Sequence, residues 1–406
     1  MSYTSLVTQP LALYVHIPFC TAKCTYCDFN SYAGQESLIA PYAEAVAREA
    51  ALWSPRLAGR QVETVFFGGG TPSILPLPEM STIVEAMRSR FDIAPDAEVT
   101  LEANPGTVDA THLEGLRRLG FNRISFGVQS FHDDELIRLE RIHDREEVHQ
   151  AYAWARAAGF ENVNLDLIYG LAGQTLELWQ ENVEQALALA PEHLSMYALT
   201  LEEGTPLTRD VERGRAIGPD PDLQADMYEW SRERMAAAGY AYYEVSNWSK
   251  PGRECRHNLT YWRNGDWLGL GAGAHSHLAG ERFAAAASPS RYIALINEAS
   301  EAASSVRPEP VEGREVPQTM RQITFREPAD PQREMSETVI LALRLREGLS
   351  LASFRDRFGV DLDTVFAAPL QETLDLGLTE LVEGRLRLRD EAVLLGDEAF
   401  LRFLPD

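Results

Sequence analysis

Three things are scarce in this chain of 406 residues. Cysteine is one: there are four, too few at this length for a disulfide scaffold. Positive charge is another. Lys and Arg number 37 against 61 Asp and Glu, a formal net charge of −24, and a general nucleic-acid binder needs clustered cations to neutralise phosphates. The third is long apolar runs. None approaches the ~18 residues of a membrane helix. Met1 to Pro10 has no Lys or Arg and leads only into the brief run Leu11 to Val15, which is not the pattern of a secretory signal. These deficits predict a soluble, cytoplasmic protein without a nucleic-acid partner. The apolar fraction of 45% is ordinary for a globular core, and the length suits two or three domains.

What is present begins with a regular alternation. Short apolar runs at Leu11 to Ile17, Val62 to Phe67, Glu98 to Glu102, Arg123 to Val128, Val163 to Ile168 and His193 to Leu199 read as strands. Amphipathic stretches near 37–53, 78–90, 109–119, 144–158 and 175–190 read as helices between them. Strands spaced by helices imply an α/β fold of parallel βαβ units. Six units are too few for a closed eight-stranded barrel, which leaves an open, partial barrel or a doubly wound sheet. In both, chemistry sits at the C-terminal strand ends.

The expected organisation is a tail over 1–10, an α/β body over 11–220, and an extension over 221–301. A Pro-rich connector follows over 302–333, then a C-terminal domain over 334–406. In that last part, three helical stretches precede two short strands joined at Glu383-Gly384, a winged-helix-like pattern. Such domains often bind DNA, but here Arg385, Arg387 and Arg389 are offset by Asp390, Glu391, Asp397 and Glu398.

Three of the four cysteines fall together. Cys20, Cys24 and Cys27 form C-x3-C-x2-C just after the first strand. At ~1% Cys usage, two further cysteines at stated offsets arise by chance about once in ten thousand. Three thiolates so spaced suit three irons of a 4Fe–4S cubane and leave the fourth iron open to a small molecule. A zinc site borrowing His16, a disulfide, or three unconnected thiols are the alternatives.

In this context the sequence resembles the radical S-adenosylmethionine (SAM) superfamily. Phe67-Gly68-Gly69-Gly70-Thr71-Pro72 stands after the second strand, and Glu102, Gln129 and Asp166 stand at or near the ends of the third, fourth and fifth. The segments Tyr14-Val-His-Ile-Pro-Phe-Cys20, Glu102-Ala-Asn-Pro-Gly-Thr107, Gly127-Val-Gln-Ser130 and Asp166-Leu-Ile-Tyr-Gly-Leu171 are similar to the oxygen-independent coproporphyrinogen III oxidase family along nearly the whole chain. The resemblance implies a partial (β/α)6 barrel with a small C-terminal helical, winged-helix-like domain. It also implies a 4Fe–4S cluster on Cys20, Cys24 and Cys27. It assigns SAM to Tyr14, Tyr26, Gly69, Gly70, Thr71, Glu102, Gln129, Arg141 and Asp166. The radical chemistry is the cofactor's, and the protein orients it and keeps water out.

Two departures select a branch. The oxidases of the family carry a fourth cysteine two positions after the third, where this chain has Phe29. The block His257-Asn-Leu-Thr-Tyr261-Trp262, ahead of Gly271-Ala-Gly-Ala-His-Ser276, resembles the signature of the haem-chaperone (HemW-type) branch. By that resemblance haem is a third bound group, with His257, Tyr261 and Trp262 as its contacts, since His ligates haem iron and aromatic rings cover a porphyrin face. His275 and His277 are alternative ligands, and a structural His257 is the plain alternative. Cys255 reads as a buried thiol, with a thiolate ligand as the alternative. The partners so implied are haem and an acceptor protein, a membrane-associated one among the candidates, with a homodimer also compatible. The competing reading is a coproporphyrinogen oxidase or another radical SAM enzyme acting on a tetrapyrrole.

Overall fold

In the run Leu11–Ile17 the odd positions are Leu11, Leu13, Val15 and Ile17, and all four are buried in the main apolar core. The even positions, Ala12, Tyr14 and His16, point to the opposite face, because successive side chains on a strand alternate. The same division runs through the next strands. Val65 and Phe67, then Leu101, then Ile124, Phe126 and Val128, then Val163, Leu165 and Leu167, then Leu194 and Met196 join the core. The intervening residues are largely polar and line the inside of a barrel.

The structure, a computed structural model, describes residues 10–305 and 320–405. Six parallel strands make the body: β1 (Leu11–Ile17), β2 (Gln61–Gly69), β3 (Asp92–Ala103), β4 (Arg123–Gln129), β5 (Val163–Tyr169) and β6 (His193–Ala198). They alternate with α1 (Ile39–Trp53), α2 (Leu77–Arg90), α3 (Ala110–Arg118), α4 (Arg145–Ala157) and α5 (Leu176–Ala188). Helix starts carry capping side chains. Asp109 and Thr175 cap α3 and α5, and Asp144 and Glu147 form a capping box on α4, each satisfying backbone donors that a helix leaves free.

The sheet is wider than six strands. After α6 (Pro221–Ala237), β7 (Ala241–Glu244) and β8 (Asn247–Ser249) add antiparallel strands beyond β6. Next come α7 (Arg256–Trp262) and β9 (Trp267–Leu270), which pairs in parallel with β1. Strands β10 (His275–Leu278), β11 (Glu281–Ala285) and β12 (Ile323–Glu327) continue that edge antiparallel, so the described residues hold a twelve-stranded sheet. Two expectations are corrected here. Strand β3 begins at Asp92, not Glu98. The stretch 302–333 is not simply a connector: α8 (Pro289–Ser305) runs into it, β12 is part of the sheet, and α9 (Pro331–Leu343) begins inside it. The prolines flank these elements. Residues 306–319 of that stretch lie outside the described residues.

Helix α9 opens a second unit with its own core around Val339, Leu343, Phe354, Leu386 and Phe403. It is followed by the short strand Leu349–Ser350, the helices Leu351–Phe358 and Ala367–Asp375, and the hairpin Thr379–Val382 with Arg385–Leu388. That order is winged-helix-like. Glu383 and Gly384 both have positive φ, as a two-residue hairpin turn requires. On the hairpin, Arg385 pairs with Glu347, Arg387 with Glu380, and Arg389 with Glu391. No helix among the described residues is long and apolar enough to cross a membrane.

The Gly271–Ser276 segment ties the barrel edge to the cysteine loop. The buried Tyr42 hydroxyl on α1 donates to the His16 carbonyl at 2.7 Å and accepts from the Ala272 amide at 2.8 Å. Glu49, also on α1 and fully buried, accepts from the Gly271 amide at 2.9 Å and from the Tyr292 hydroxyl at 2.6 Å. Burial raises its pKa to about 7 despite these bonds. Gly271 has φ +105°, and a Cβ there would sit 2.6 Å from the His16 carbonyl oxygen. Gly271→Ala is therefore expected to cost about 2 kcal/mol in urea unfolding, at the upper end for a strained backbone position. Iron uptake on reconstitution should fall with it, because β1 and the cysteine loop would have to shift.

Candidate SAM and iron–sulfur site

The cysteine loop leaves β1 and is closed at its base by a parallel bridge between Phe19–Cys20 and Tyr32–Ala33. Inside it, the Cys27 amide donates to the Cys24 carbonyl, 3.2 Å, making a tight turn. The Lys23 ammonium reaches across to the Phe29 carbonyl at 2.9 Å and the Ser31 carbonyl at 3.3 Å. Asn30 fastens the loop's far end. Its side-chain amide donates to the Ala272 and Ala287 carbonyls, both at 3.0 Å, and its own carbonyl accepts from His16 Nε2 at 2.8 Å. Burial holds the His16 imidazole below its ordinary pKa, and the neighbouring His275 adds to that. Asn30, Tyr42 and Glu49 were not among the predicted site residues, and His16 only as an alternative zinc ligand, since contacts between distant segments leave no spacing signal.

Cys20, Cys24, Cys27, Tyr26, Gly69, Gly70, Thr71, Glu102, Gln129, Arg141 and Asp166 all line one cavity of about 390 Å³, a size suited to one small ligand. Tyr14 is the exception. It does not line this cavity. Its ring stacks on Phe66, and its hydroxyl bonds His16 Nδ1 at 3.0 Å.

The cavity has one acidic wall. Glu102 Oε2 accepts from the Gly69 amide at 3.1 Å, and a Cβ on Gly68 would lie 2.9 Å from the same oxygen. Asp166 is held by Ser125 at 3.0 Å and Asn164 at 2.7 Å, and Asn164 is braced in turn by His193 and Ser195. Burial, and next the charge of Asp166, raise the Glu102 pKa to about 7. Burial also raises Asp166, against three side-chain hydrogen bonds. Arg141 lines the same cavity, and its guanidinium donates to the Gly127 carbonyl at 2.7 Å and lies 3.5 Å from both Cys24 Sγ and the Tyr26 hydroxyl. Its Nε is buried without a hydrogen-bond partner among the described residues. Gln129 ends β4 with φ 69° at a break in strand register, and such irregularities re-aim a side chain at a strand end.

This donor set fits an amino-acid-bearing sulfonium. Two carboxylates suit its cationic groups, a guanidinium with a free donor suits its carboxylate, and an open glycine turn admits it closely. Among the described residues, no three His, Cys, Asp or Glu side chains gather tightly enough for a single metal ion. A cubane takes each cysteine on a separate iron.

The block expected to contact haem is placed differently. Helix α7 inserts its start into the barrel, where Glu98 accepts from the backbone amides of Arg256 and His257, both at 3.1 Å, and from Cys255 Sγ. Cys255 is a buried thiol, its pKa raised to about 12 by burial. His257 is 1% exposed. One ring nitrogen bonds Thr64 and the other Tyr261, each at 2.8 Å, and the ring stacks on Phe66. Burial keeps it neutral, with a pKa near 3. Trp262 lies under the Arg344 guanidinium, 4.6 Å from its ring centre. In this arrangement both His257 nitrogens are bonded within the chain, and Arg344 lies over one face of the half-buried Trp262. The three residues plug the barrel floor.

The acidic wall gives a testable pH dependence. Below about pH 7 Glu102 holds a proton, and a cationic ligand must displace it. SAM affinity measured by calorimetry should therefore rise about tenfold from pH ~6 to ~8. Glu102→Gln should bind weakly and lose most of that rise.

Comparison with known proteins agrees with this geometry. Residues 14–186 match the radical SAM superfamily and residues 329–395 the HemN C-terminal domain. Heme chaperone HemW of Bacillus subtilis is 35% identical over 97% of this chain and 99% of its own length. Heme chaperone HemW of Escherichia coli is 46% identical over 66% of this chain and 70% of its own. In fold, the chain is similar to coproporphyrinogen III oxidase (HemN) from Escherichia coli, a radical SAM enzyme, with a TM-score of 0.82 at 24% identity, covering 98% and 90% of the two chains. Built on a radical SAM barrel with a HemN-type C-terminal unit, and related from end to end to the Bacillus subtilis protein, the chain belongs to the HemW family.

Proposed function

We propose that this protein is a haem chaperone on a radical SAM scaffold, which binds haem and passes it to an acceptor protein. The observation that carries the reading is the end-to-end relation to a protein named heme chaperone HemW. Phe29 supports it. The side chain is 60% exposed at the cavity rim, where the oxidases that the sequence resembles carry a further cysteine.

In this reading Cys20, Cys24 and Cys27 hold a 4Fe–4S cluster. Gly69, Gly70, Thr71, Glu102, Gln129, Arg141 and Asp166 hold SAM, with Tyr26 packed beside them. When bound, the pair supplies one-electron cleavage of a sulfonium. The chain's own residues do the positioning. Glu102 and Asp166 attract the cationic end, Arg141 orients the carboxylate, and Ile168 and Leu199 on the cavity wall exclude water. Tyr14 supports the wall from behind through His16. The acceptor is a protein that takes haem, membrane-bound acceptors included, and the cytoplasm is the proposed compartment.

The test pairs two assays on one anaerobically reconstituted sample. Haem titration should give a Soret band that saturates at one haem per chain. Incubation with coproporphyrinogen III, SAM and a reductant should give no catalytic formation of protoporphyrinogen IX. Turnover to that product would replace this reading with the oxidase.

A further inference from the structure

Two loops beyond the ends of β4 and β5 support part of the cysteine loop. The first follows β4 and runs through the short helix Asp133–Arg138 to Arg141, whose amide donates to the Leu136 carbonyl at 2.9 Å. The second follows β5 and turns at Gly170, φ +73°, toward Gln174. Leu139 of the first loop and Leu171 of the second join Ile168 and Leu199 in a small apolar cluster, and Tyr26 packs against it. The Tyr26 hydroxyl in turn lies 3.5 Å from the Arg141 guanidinium. The spacing of the two loops therefore sets where Tyr26 and Arg141 stand.

One buried carboxylate joins the two loops. Glu135 is 1% exposed and does not line the cavity. Its Oε2 accepts from Ser130 Oγ at 2.6 Å, from Asn182 Nδ2 at 3.0 Å and from Gln174 Nε2 at 3.2 Å. Those three side chains are themselves buried, and they come from the first loop, from α5 and from the second loop. Each passes the constraint on to backbone. Ser130 Oγ accepts from the His132 amide at 2.9 Å, Asn182 Oδ1 from the Phe131 amide, and Gln174 Oε1 from the Gly170 amide at 2.8 Å. Glu135 Oε1 is buried without a hydrogen-bond partner among the described residues. Burying a carboxylate on neutral donors is costly, and an apolar side chain would pack the site without that cost. The charge has a use here because three convergent donors share one strong acceptor.

We propose that Glu135 is a positioning residue: it ties the loop after β4 to the loop after β5 and so fixes Arg141 and Tyr26 against the cysteine loop. The inference rests on the assignment of those two side chains to the SAM site. Glu135 acts from behind the cavity, so its effect reaches the ligand only through them. Because only Oε2 is used, an amide at this position can keep all three bonds. Its oxygen takes the place of Oε2 and its nitrogen that of the unpartnered Oε1. A leucine of similar size keeps none of them. The two substitutions separate the hydrogen bonds from the packing.

The test is SAM affinity by calorimetry on the full-length, anaerobically reconstituted protein, with iron content and cluster absorption measured on each sample. Glu135→Leu should load iron as wild type does and bind SAM about tenfold more weakly, whereas Glu135→Gln should bind as wild type. Gln174→Ala cuts the tie from the second loop and leaves Glu135 bonded to Ser130 and Asn182. It should show a smaller loss, and it decides the matter if Glu135→Leu does not fold. A double-mutant cycle with Arg141→Met separates positioning from general loosening. Arg141→Met alone should weaken binding, and adding Glu135→Leu or Gln174→Ala should then cost less than it does in wild type. Wild-type affinity in a folded Glu135→Leu or in Gln174→Ala overturns the proposal. So do equal losses in Glu135→Leu and Glu135→Gln, or fully additive losses in the cycle. If Arg141→Met binds SAM as wild type does, the SAM assignment falls first, and the role of Glu135 with it.

Discussion

An incomplete barrel with a polar interior has to satisfy its own lining. Here the requirement falls on Glu98. It is buried and meets the first backbone amides of α7 together with Cys255. A helix start leaves amides without partners, and a carboxylate there answers both the missing bonds and the helix dipole. Arg123, also buried, lies close enough to feel the charges of Glu98 and Asp166. Without this plug, the polar residues of β3 to β6 would face solvent from below, and the wall that carries Glu102 and Asp166 would lose its support. The layers above follow in order: His257 on Thr64, Tyr14 on Phe66, His16 on Asn30, and Asn30 on the cysteine loop.

Electrostatics explain why a strongly acidic protein can host this site. The global charge of −24 acts mainly through solvent, where salt screens it. Inside the cavity the decisive charges are few. Two carboxylates with raised pKa values and one guanidinium line the same cavity, and burial gives them more weight than the surface. The site is poised for a ligand that is itself a zwitterion with an added positive centre.

Much of this was legible in the sequence, and the reasons are physical. Each of the six body strands has an apolar face and the helices between them are amphipathic, so apolar periodicity sufficed. The three cysteines declared themselves by spacing, and Glu102, Gln129 and Asp166 by standing at or near strand ends. The extension was harder. Strand β9 is four residues long and pairs with β1 across some 250 intervening positions, a contact no local pattern encodes. Strand β12 sat among prolines that suggested a connector. The His257 block shows the limit of a motif, which names residue types and says nothing of which way they point. Only the hydrogen bonds to Thr64 and Tyr261 show that its imidazole is already occupied.

The cover over Trp262 joins two units mechanically. The indole sits on a barrel-floor helix, while the guanidinium above it comes from Arg344, just past α9 in the C-terminal unit. Arg344 also lies 3.8 Å from the buried Glu244 at the sheet's far edge, so one side chain spans floor, edge and appended unit. Any swing of the C-terminal unit strips a cation from an indole whose own nitrogen has no other partner, and the ring would then meet water. The indole thus couples the barrel floor to the appended unit through a single cation–π contact.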